Sequence, residues 1–512
     1  MTYLAVSISG RNLSQFEQRL AEASQAGAEM LELRVDYLDN LTPEAVAPIL
    51  AASRQTHLPT ILTCRDKAEG GIGTWSQKIR TKILVEAITA GVEFVDCEFA
   101  NFIDGTKAAI LAALAARPQT RLILSAHQFE GTFDDLPLLY ESIRTACPQA
   151  IPKLIYTARH INDCFAAFDL LKDKDADTIT FAMGPAGAVS RILAKKLGAF
   201  LTFAALDDQQ ATAPGQWSVR KLKQSFRWDS INAGTEILGV IGDPVGHSLS
   251  PAVFNACFTK DNLNALYLPF WVQDEREGLD AFLDNVLRRP WLNFAGFSVT
   301  IPHKTHAINY VSGKGEYVEP LAVTIGAANT LKIGCNGIIT AYNTDYIGAM
   351  DALTDALGIE RHQLHSKKVA VIGAGGVSRA VVAGLVDAGA EVTIYNRTES
   401  KARHLAEEYR CRSAGLETLA SLDADIVINC TSIGMAPNVD ASPLPAELFK
   451  PHMTAFDTIY TPRETRFLKE AAAAGCRVVN GTEMFIRQAI AQYRIYTGRE
   501  PNEATIRSVV YS

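Results

Sequence analysis

Residues 121–158 read RLILSAHQFEGTFDDLPLLYESIRTACPQAIPKLIYTA. Two aliphatic and β-branched runs, Arg121 to His127 and Pro152 to Ala158, flank a leucine-rich amphipathic stretch, the pattern of strand, helix and second strand. The rhythm extends outward in both directions, with further runs at Tyr3 to Ser9, Met30 to Asp36, Thr60 to Arg65, Phe94 to Phe99, Thr178 to Gly184 and Ala199 to Ala205. Eight such units within roughly 230 residues predict a (β/α)8 barrel, a fold whose chemistry gathers at the C-terminal ends of its strands. Polar residues gather there. Glu32, Arg34 and Asp36 end the second run, Arg65 the third, Asp96 and Glu98 the fourth and His127 the fifth, with Lys153 early in the sixth.

The periodicity lapses over Ser225 to Thr235 (SFRWDSINAGT), ahead of a new strand at Ile237 to Gly242, so a domain boundary is expected there. Beyond it, Lys367 to Asn396 reads as strand, Gly-rich turn, helix and strand. A chain of 512 residues, 48% hydrophobic, has material for two or three folded domains. Its 49 Lys and Arg against 56 Asp and Glu leave a charge of -7, which offers no basic field for nucleic acid or anionic lipid. Small-molecule substrates are the expected partners. The nine Cys are scattered without a C-x-x-C pair, no apolar run reaches the ~18 residues of a membrane helix, and Met1 leads into the first strand without a basic leader. A cytoplasmic protein is expected.

Lys153 lies in an otherwise apolar run, where desolvation disfavours its charge and leaves a nucleophilic amine. His127, on the adjacent strand end, is suited to move protons near neutral pH. From spacing alone, a snorkelling lysine and a core histidine remain equal alternatives. The wider pattern is Glu32-Leu-Arg34-Val-Asp36, Thr63-Cys-Arg65 with Glu69-Gly-Gly, Ser125-Ala-His127, Lys153, Met183-Gly184 through Ser190-Arg191, and Ala213-Pro-Gly-Gln216. In order and spacing it resembles type I 3-dehydroquinate dehydratase from residue 3 to about 220. The resemblance implies that Lys153 forms an imine with the substrate ketone, that His127 takes the C2 proton and later protonates the departing hydroxyl, and that Glu69 orients it. It also implies that Arg191 clamps the carboxylate while Glu32, Arg34, Arg65 and Gln216 read ring hydroxyls. Thr212 stands where the family often has Ser and keeps the hydroxyl.

In the second half, Gly373-Ala374-Gly375-Gly376 follows a strand and opens a helix, so its N–H groups could hold a pyrophosphate. Ser378 replaces the third glycine of G-x-G-x-x-G, and a plain tight turn is the bland alternative. The next strand, Glu391 to Tyr395, ends in Asn396-Arg397-Thr398, where Arg and Thr suit a 2′-phosphate rather than a free ribose hydroxyl. NADP is the expected cofactor. The segments Gly242-Asp-Pro-Val-Gly-His247-Ser248-Leu-Ser250-Pro251, Ser298-Val-Thr300-Ile-Pro-His303-Lys304, Gly326-Ala-Ala-Asn329-Thr, Tyr342-Asn-Thr-Asp345, Asp457-Thr-Ile-Tyr460-Thr-Pro and Met484 with Gln488 resemble shikimate dehydrogenase. That resemblance implies that Ser248 and Ser250 hold the substrate carboxylate, that Thr300, Asn329, Tyr460 and Gln488 address the ring hydroxyls, and that Lys304 and Asp345 flank the reacting carbonyl. Tyr496 stands where relatives often carry Trp. His303, His306 and His247 lack carboxylates at ligand spacing, so no metal site is expected.

Together the halves resemble the fused dehydroquinate dehydratase and shikimate dehydrogenase family of plants, in which the product of the first reaction is the substrate of the second. The expected fold class is α/β: a dehydratase barrel over 1–230, a substrate lobe over 236–343, a Rossmann-like NADP lobe over 344–479, and C-terminal helices over 480–512 returning to the substrate lobe. An NAD-linked quinate dehydrogenase on the same barrel is an alternative that Ser250, Thr300 and Arg397 disfavour. A binding-only metabolite sensor is another; it would lack the pairs Lys153 with His127 and Lys304 with Asp345.

Overall fold

In the computed structural model, residues 2–207, 215–246, 248–273 and 276–512 are described. The chain divides into two compact units, Met1–Thr235 with Phe270–Val272, and Glu236–Pro269 with Gln273–Ser512.

The first unit holds β1 (Tyr3–Ser9), β2 (Met30–Arg34), β3 (Thr60–Thr63), β4 (Phe94–Glu98), β5 (Arg121–Gln128), β6 (Ile151–Thr157), β7 (Ile179–Met183) and β8 (Leu201–Ala204). They pair in parallel, in the order β7-β6-β5-β4-β3-β2-β1-β8. Between β7 and β8 the ladder is replaced by a Phe200 N–H to Thr178 carbonyl bond of 2.8 Å and an edge contact between the rings of Phe181 and Phe203. The result is an eight-stranded, barrel-like parallel sheet with helices between its strands. The helix Leu13–Ala26 shows how the local sequence sets the elements. Asn12 caps it by accepting the Gln15 N–H, Phe16, Leu20 and Ala23 form its buried stripe, and Gly27 ends it at a φ of 88°.

Side chains alternate along a strand with a period of two, and this alternation builds the inner face of the sheet. Ala5, Met30, Ile61, Phe94, Ile123, Ile151, Ile179 and Leu201 form an apolar floor. Two positions further along their strands come Ser7, Glu32, Thr63, Asp96, Ser125 and Lys153, a polar layer directly above it. Strands β2 and β3 each stop two residues short of the extended runs read from the sequence. Val35–Tyr37 turns into a 3-10 helix, and the Asp36 carboxylate takes the N–H groups of Arg65 and Ile72, so side-chain bonds replace the ladder.

The second unit contains two sheets. One has the order β10-β9-β11-β12-β13, from β9 (Glu236–Gly242), β10 (Ala265–Trp271), β11 (Phe294–Val299), β12 (Thr330–Ile333) and β13 (Ile339–Tyr342), with β9 and β11 parallel and β11, β12 and β13 antiparallel. The other is fully parallel and comprises β14 (Lys368–Ile372), β15 (Glu391–Asn396), β16 (Arg412–Gly415), β17 (Ile426–Asn429), β18 (Thr454–Asp457) and β19 (Arg477–Val479). Its order, β16-β15-β14-β17-β18-β19, is that of a doubly wound dinucleotide-binding sheet, whose ligand crevice opens between β14 and β17. Val369 and Val371 enter the core on one face, while Ala370 and Ile372 enter the core on the other. No helix among the described residues is long and apolar enough to cross a membrane.

Candidate active sites

The polar layer of the barrel is a network of ions. Lys153 Nζ donates to Asp96 Oδ2 at 2.8 Å and to Glu32 Oε1 at 3.1 Å, and lies 4.8 Å from the centroid of the Phe203 ring. The amine is therefore buried between two carboxylates rather than in the apolar surround that its own strand suggests. Arg65 donates to Asp96 at 2.9 Å, to Glu98 at 3.0 Å and to Ser125 at 2.6 Å. Glu98 also accepts from Arg80 at 2.9 Å, and Glu32 from the hydroxyls of Ser7 and Thr63. Burial opposes ionisation of Asp96, but Arg65 and Lys153 outweigh it and hold the carboxyl far below its usual range. Lys153, Arg34 and Arg65 do the same for Glu32, against burial.

Above this layer, His127 Nδ1 lies 2.9 Å from Glu69 Oε2, which also accepts the His127 N–H at 3.1 Å. Burial, with the Arg65 and Lys153 cations nearby, holds the imidazole well below its ordinary pKa, so it is a neutral base. Burial pushes the Glu69 carboxyl up to about 7. Arg34 is committed to a bidentate pair with Asp36, both bonds 2.8 Å. Arg191 differs from every other cation here. It is buried, stacks 4.4 Å over Phe181, has an Nε with no hydrogen-bond partner, and pairs with no carboxylate among the described residues. Burial alone lowers its guanidinium to about 9. Gln216 is buried, and Thr212 lies outside the described residues. Arg80 and Ser7 were not singled out in the sequence, and Thr63 was named only as part of the motif Thr63-Cys-Arg65, without a role. The last two were legible as the second inward positions above Ala5 and Ile61, whereas Arg80 sits on the helix Gln77–Thr89 and follows no strand period.

The second unit brings Lys304 and Asp345 together across 41 positions, Nζ to Oδ2, at 2.6 Å, with both residues buried. Asp345 Oδ1 accepts from Asn329 Nδ2 at 2.9 Å. Lys304 opens the helix Lys304–Gly313 and Asp345 the helix Asp345–Leu357. Thr300 lies at the end of β11, its N–H bonded to the Ile241 carbonyl. Ser248 Oγ accepts the Ser250 N–H, and Tyr460, with Ser248 as a hydrogen-bond partner, has its hydroxyl pKa raised by burial. Gln488 donates to the Phe485 carbonyl and packs against Gly348. The rings of His303 and His306 are 6.1 Å apart, and the described residues contain no group of three or more potential metal ligands.

Next to this pair runs the glycine-rich turn. Gly373 sits at a φ of 118°, where a Cβ would also meet the Cys430 carbonyl at 2.9 Å. A Cβ on Gly376 would come within 3.0 Å of the Lys304 side chain, so the turn passes in contact with the lysine stem. Around Gly375 a Cβ would meet nothing within 4 Å, which leaves room for a ligand over the turn. Ser378 is fully buried and its Oγ accepts the Gly375 N–H at 3.1 Å, so the residue that breaks the fingerprint braces the turn instead. At the end of β15, Asn396 Nδ2 donates to the Thr398 carbonyl and Arg397 is exposed. The turn, the N-terminus of the helix Gly376–Asp387 and the exposed cation of Arg397 thus fit a dinucleotide carrying a further phosphate.

Both halves of the chain have known relatives. Residues 4–233 match the type I 3-dehydroquinase family, residues 240–331 the shikimate dehydrogenase substrate binding domain, residues 356–442 the shikimate/quinate 5-dehydrogenase family, and residues 481–511 the shikimate 5′-dehydrogenase C-terminal domain. A chloroplastic bifunctional 3-dehydroquinate dehydratase/shikimate dehydrogenase of Arabidopsis thaliana is 35% identical over 499 residues, 93% of this chain and 79% of the relative. A shikimate dehydrogenase (NADP(+)) of Methanosarcina mazei is 40% identical over 277 residues, 52% of this chain and 94% of the relative. Among solved structures, a shikimate dehydrogenase in complex with NADP+ is 37% identical, with a TM-score of 0.49 over 55% of this chain and 96% of that one.

Proposed function

The chain belongs to the family of bifunctional 3-dehydroquinate dehydratase/shikimate dehydrogenases, and from that premise we propose the roles of its individual residues. It is a lyase and an NADP-dependent oxidoreductase of the shikimate pathway: 3-dehydroquinate loses water to give 3-dehydroshikimate, whose ketone is reduced to shikimate.

In the barrel, Lys153 passes one ammonium proton to the ketone oxygen and attacks the carbonyl carbon as the free amine; a second proton follows to that oxygen, which leaves as water, and the protonated imine draws electrons from the neighbouring carbon. Neutral His127, oriented by Glu69, takes the C2 proton and returns it to the departing C1 hydroxyl. Arg191 receives the carboxylate, a role supported by its burial without an acidic partner among the described residues. Glu32, Arg34, Arg65, Thr212 and Gln216 complete the cradle for the ring.

In the second unit, NADPH supplies hydride when bound, with Gly373, Ala374, Gly375 and Gly376 at its pyrophosphate and Asn396, Arg397 and Thr398 at its 2′-phosphate. Ser248 and Ser250 hold the substrate carboxylate, and Thr300, Asn329, Tyr460 and Gln488 hold the hydroxyls. Lys304 stabilises the alkoxide that develops on the ketone oxygen and delivers its proton, with Asp345 keeping the ammonium in place. Retained Ser250, Thr300 and Arg397 favour shikimate and NADP over quinate and NAD. All nine cysteines are free thiols, which supports a reducing, cytoplasmic compartment.

The observation that carries this reading is the presence in one chain of two buried lysines held by carboxylates, Lys153 and Lys304. Purified protein given 3-dehydroquinate and NADPH is expected to consume NADPH with no other enzyme present. Lys153→Ala should abolish that consumption yet keep reduction of supplied 3-dehydroshikimate, and borohydride added during turnover should fix a substrate adduct on Lys153. Loss of both activities in the variant, or an adduct-free lysine, would overturn the assignment.

A further inference from the structure

Behind the reduction site, a chain of buried hydrogen bonds runs from Asp345 to the C-terminal helix Gly481–Thr497, and its polarity is fixed link by link. Asp345 accepts from Lys304, and an ionised carboxylate can only accept, so the amide atom of Asn329 facing it must be Nδ2. Asn329 Oδ1 is then turned toward the Thr330 hydroxyl, which donates to it at 2.8 Å, and toward the Thr344 N–H, also at 2.8 Å. The Thr330 hydroxyl has one proton and spends it on Asn329, because its oxygen already accepts from Gln492 Nε2 at 3.0 Å. The Gln492 amide is fixed in turn. Its Oε1 takes the Ser298 hydroxyl at 2.7 Å, and its Nε2 also reaches the Asn329 carbonyl at 3.2 Å. Ser298 Oγ accepts from the Tyr267 hydroxyl at 2.6 Å, with the Tyr496 hydroxyl 3.1 Å away. Gln492 and Thr330 are at most 1% exposed, so no water substitutes for a missing link.

Neither residue touches the Lys304 ammonium. We propose that Thr330 and Gln492 are positioning residues for the reduction, which set the orientation of the Asn329 amide and through it the carboxylate of Asp345 that aims Lys304. The proposal rests on the reading of Lys304 and Asp345 as the reacting pair. A displaced catalytic group can cost up to about 100-fold in rate, so Thr330→Val is expected to lower kcat for 3-dehydroshikimate reduction about 10- to 100-fold. The KM for NADPH and the dehydratase rate should not move. Thr330→Ser keeps the hydroxyl and should restore most of kcat. Gln492→Glu keeps the shape but cannot donate, so Thr330 turns its proton to the new carboxylate and abandons Asn329; kcat should fall as it does in Thr330→Val, and the double variant should be little worse.

The assay is steady-state NADPH oxidation with supplied 3-dehydroshikimate, run on the full chain beside Lys304→Ala. A kcat within about twofold of wild type in Thr330→Val, or a Thr330→Ser no better than Thr330→Val, overturns the proposal, on the scale of the losses expected above. If Thr330→Val no longer binds NADPH, Gln492→Glu decides alone by the same criterion. Undiminished kcat in Lys304→Ala would instead overturn the reacting-pair reading itself.

Discussion

Replacing Arg191 by methionine should make the ligand-free barrel more stable while destroying its dehydratase activity. The guanidinium is 3% exposed and pairs with no carboxylate among the described residues. Burial alone draws its pKa from the usual arginine range down to about 9, which at roughly 1.36 kcal/mol per pH unit means that holding this charge in the folded protein costs about 5 kcal/mol. Methionine has similar reach and no charge. It forfeits the stacking of the cation over Phe181, about 1–2 kcal/mol for a desolvated pair, so the net gain should be about 3 kcal/mol. Because the chain has two units, the measurement is hydrogen exchange of β1 to β8 peptides across a urea series, which reads the barrel separately. Without ligand, the variant's barrel should open at higher urea than wild type. With 3-dehydroshikimate added, wild type should gain stability as the carboxylate neutralises the arginine, whereas the variant should gain little. A variant barrel less stable than wild type by 1 kcal/mol or more would refute the reasoning, since the guanidinium would then be compensated in the empty site.

At the reduction site, Lys304→Ala should depress kcat by about 10²- to 10³-fold, the scale for losing one preorganised donor, with a modest change in KM; Asp345→Asn should behave alike, and a rise in KM alone would show mere binding. Arg397→Ala should raise the KM for NADPH far more than that for NADH, because only the former has a 2′-phosphate to lose; equal losses would remove Arg397 from that contact. Buried Asp457, which accepts from Thr465, Ile459 and Asn429, has its carboxyl raised by burial from 3.8 to about 6. The folded state therefore holds a proton that the unfolded state releases, so this group's contribution is full below about pH 4 and is lost as pH rises through 6, by roughly 3 kcal/mol. Asp457→Asn should remove that slope, so the urea midpoint of β18 exchange in the variant should gain on wild type between pH 4 and 7; a pH-independent difference would contradict the assignment.

The strands were legible because alternation is local: the inward positions of β5 and β6 can be counted along eight and seven residues of text. The surroundings of Lys153 were not. Its run is apolar in sequence, yet its partners Glu32 and Asp96 stand 121 and 57 positions away and arrive only when the sheet curls. Nothing in the spacing of a single strand reports which charges its neighbours will aim at the same point. Ser378 was legible as a departure from the glycine fingerprint, but that its hydroxyl would take the Gly375 N–H depends on the turn's shape. Gln492 continues the four-residue spacing of Met484 and Gln488 along one face of its helix, and that spacing alone does not separate a polar positioning residue from an ordinary buried glutamine.

The polar layer of the barrel can also be read as an inventory of charge. Glu32, Asp96 and Glu98 bring three negative charges, and Lys153, Arg65 and Arg80 three positive ones, all six side chains less than a tenth exposed. Neutrality of that layer requires one positive charge at the Lys153 nitrogen, between Glu32 and Asp96. In the imine proposed for this nitrogen, the protonated form would preserve the balance, whereas the neutral form would strand Glu32 and Asp96 with one cation too few. The polar layer thus favours the iminium, the form able to pull electrons from the substrate, because Glu32 and Asp96 both hydrogen-bond the nitrogen itself.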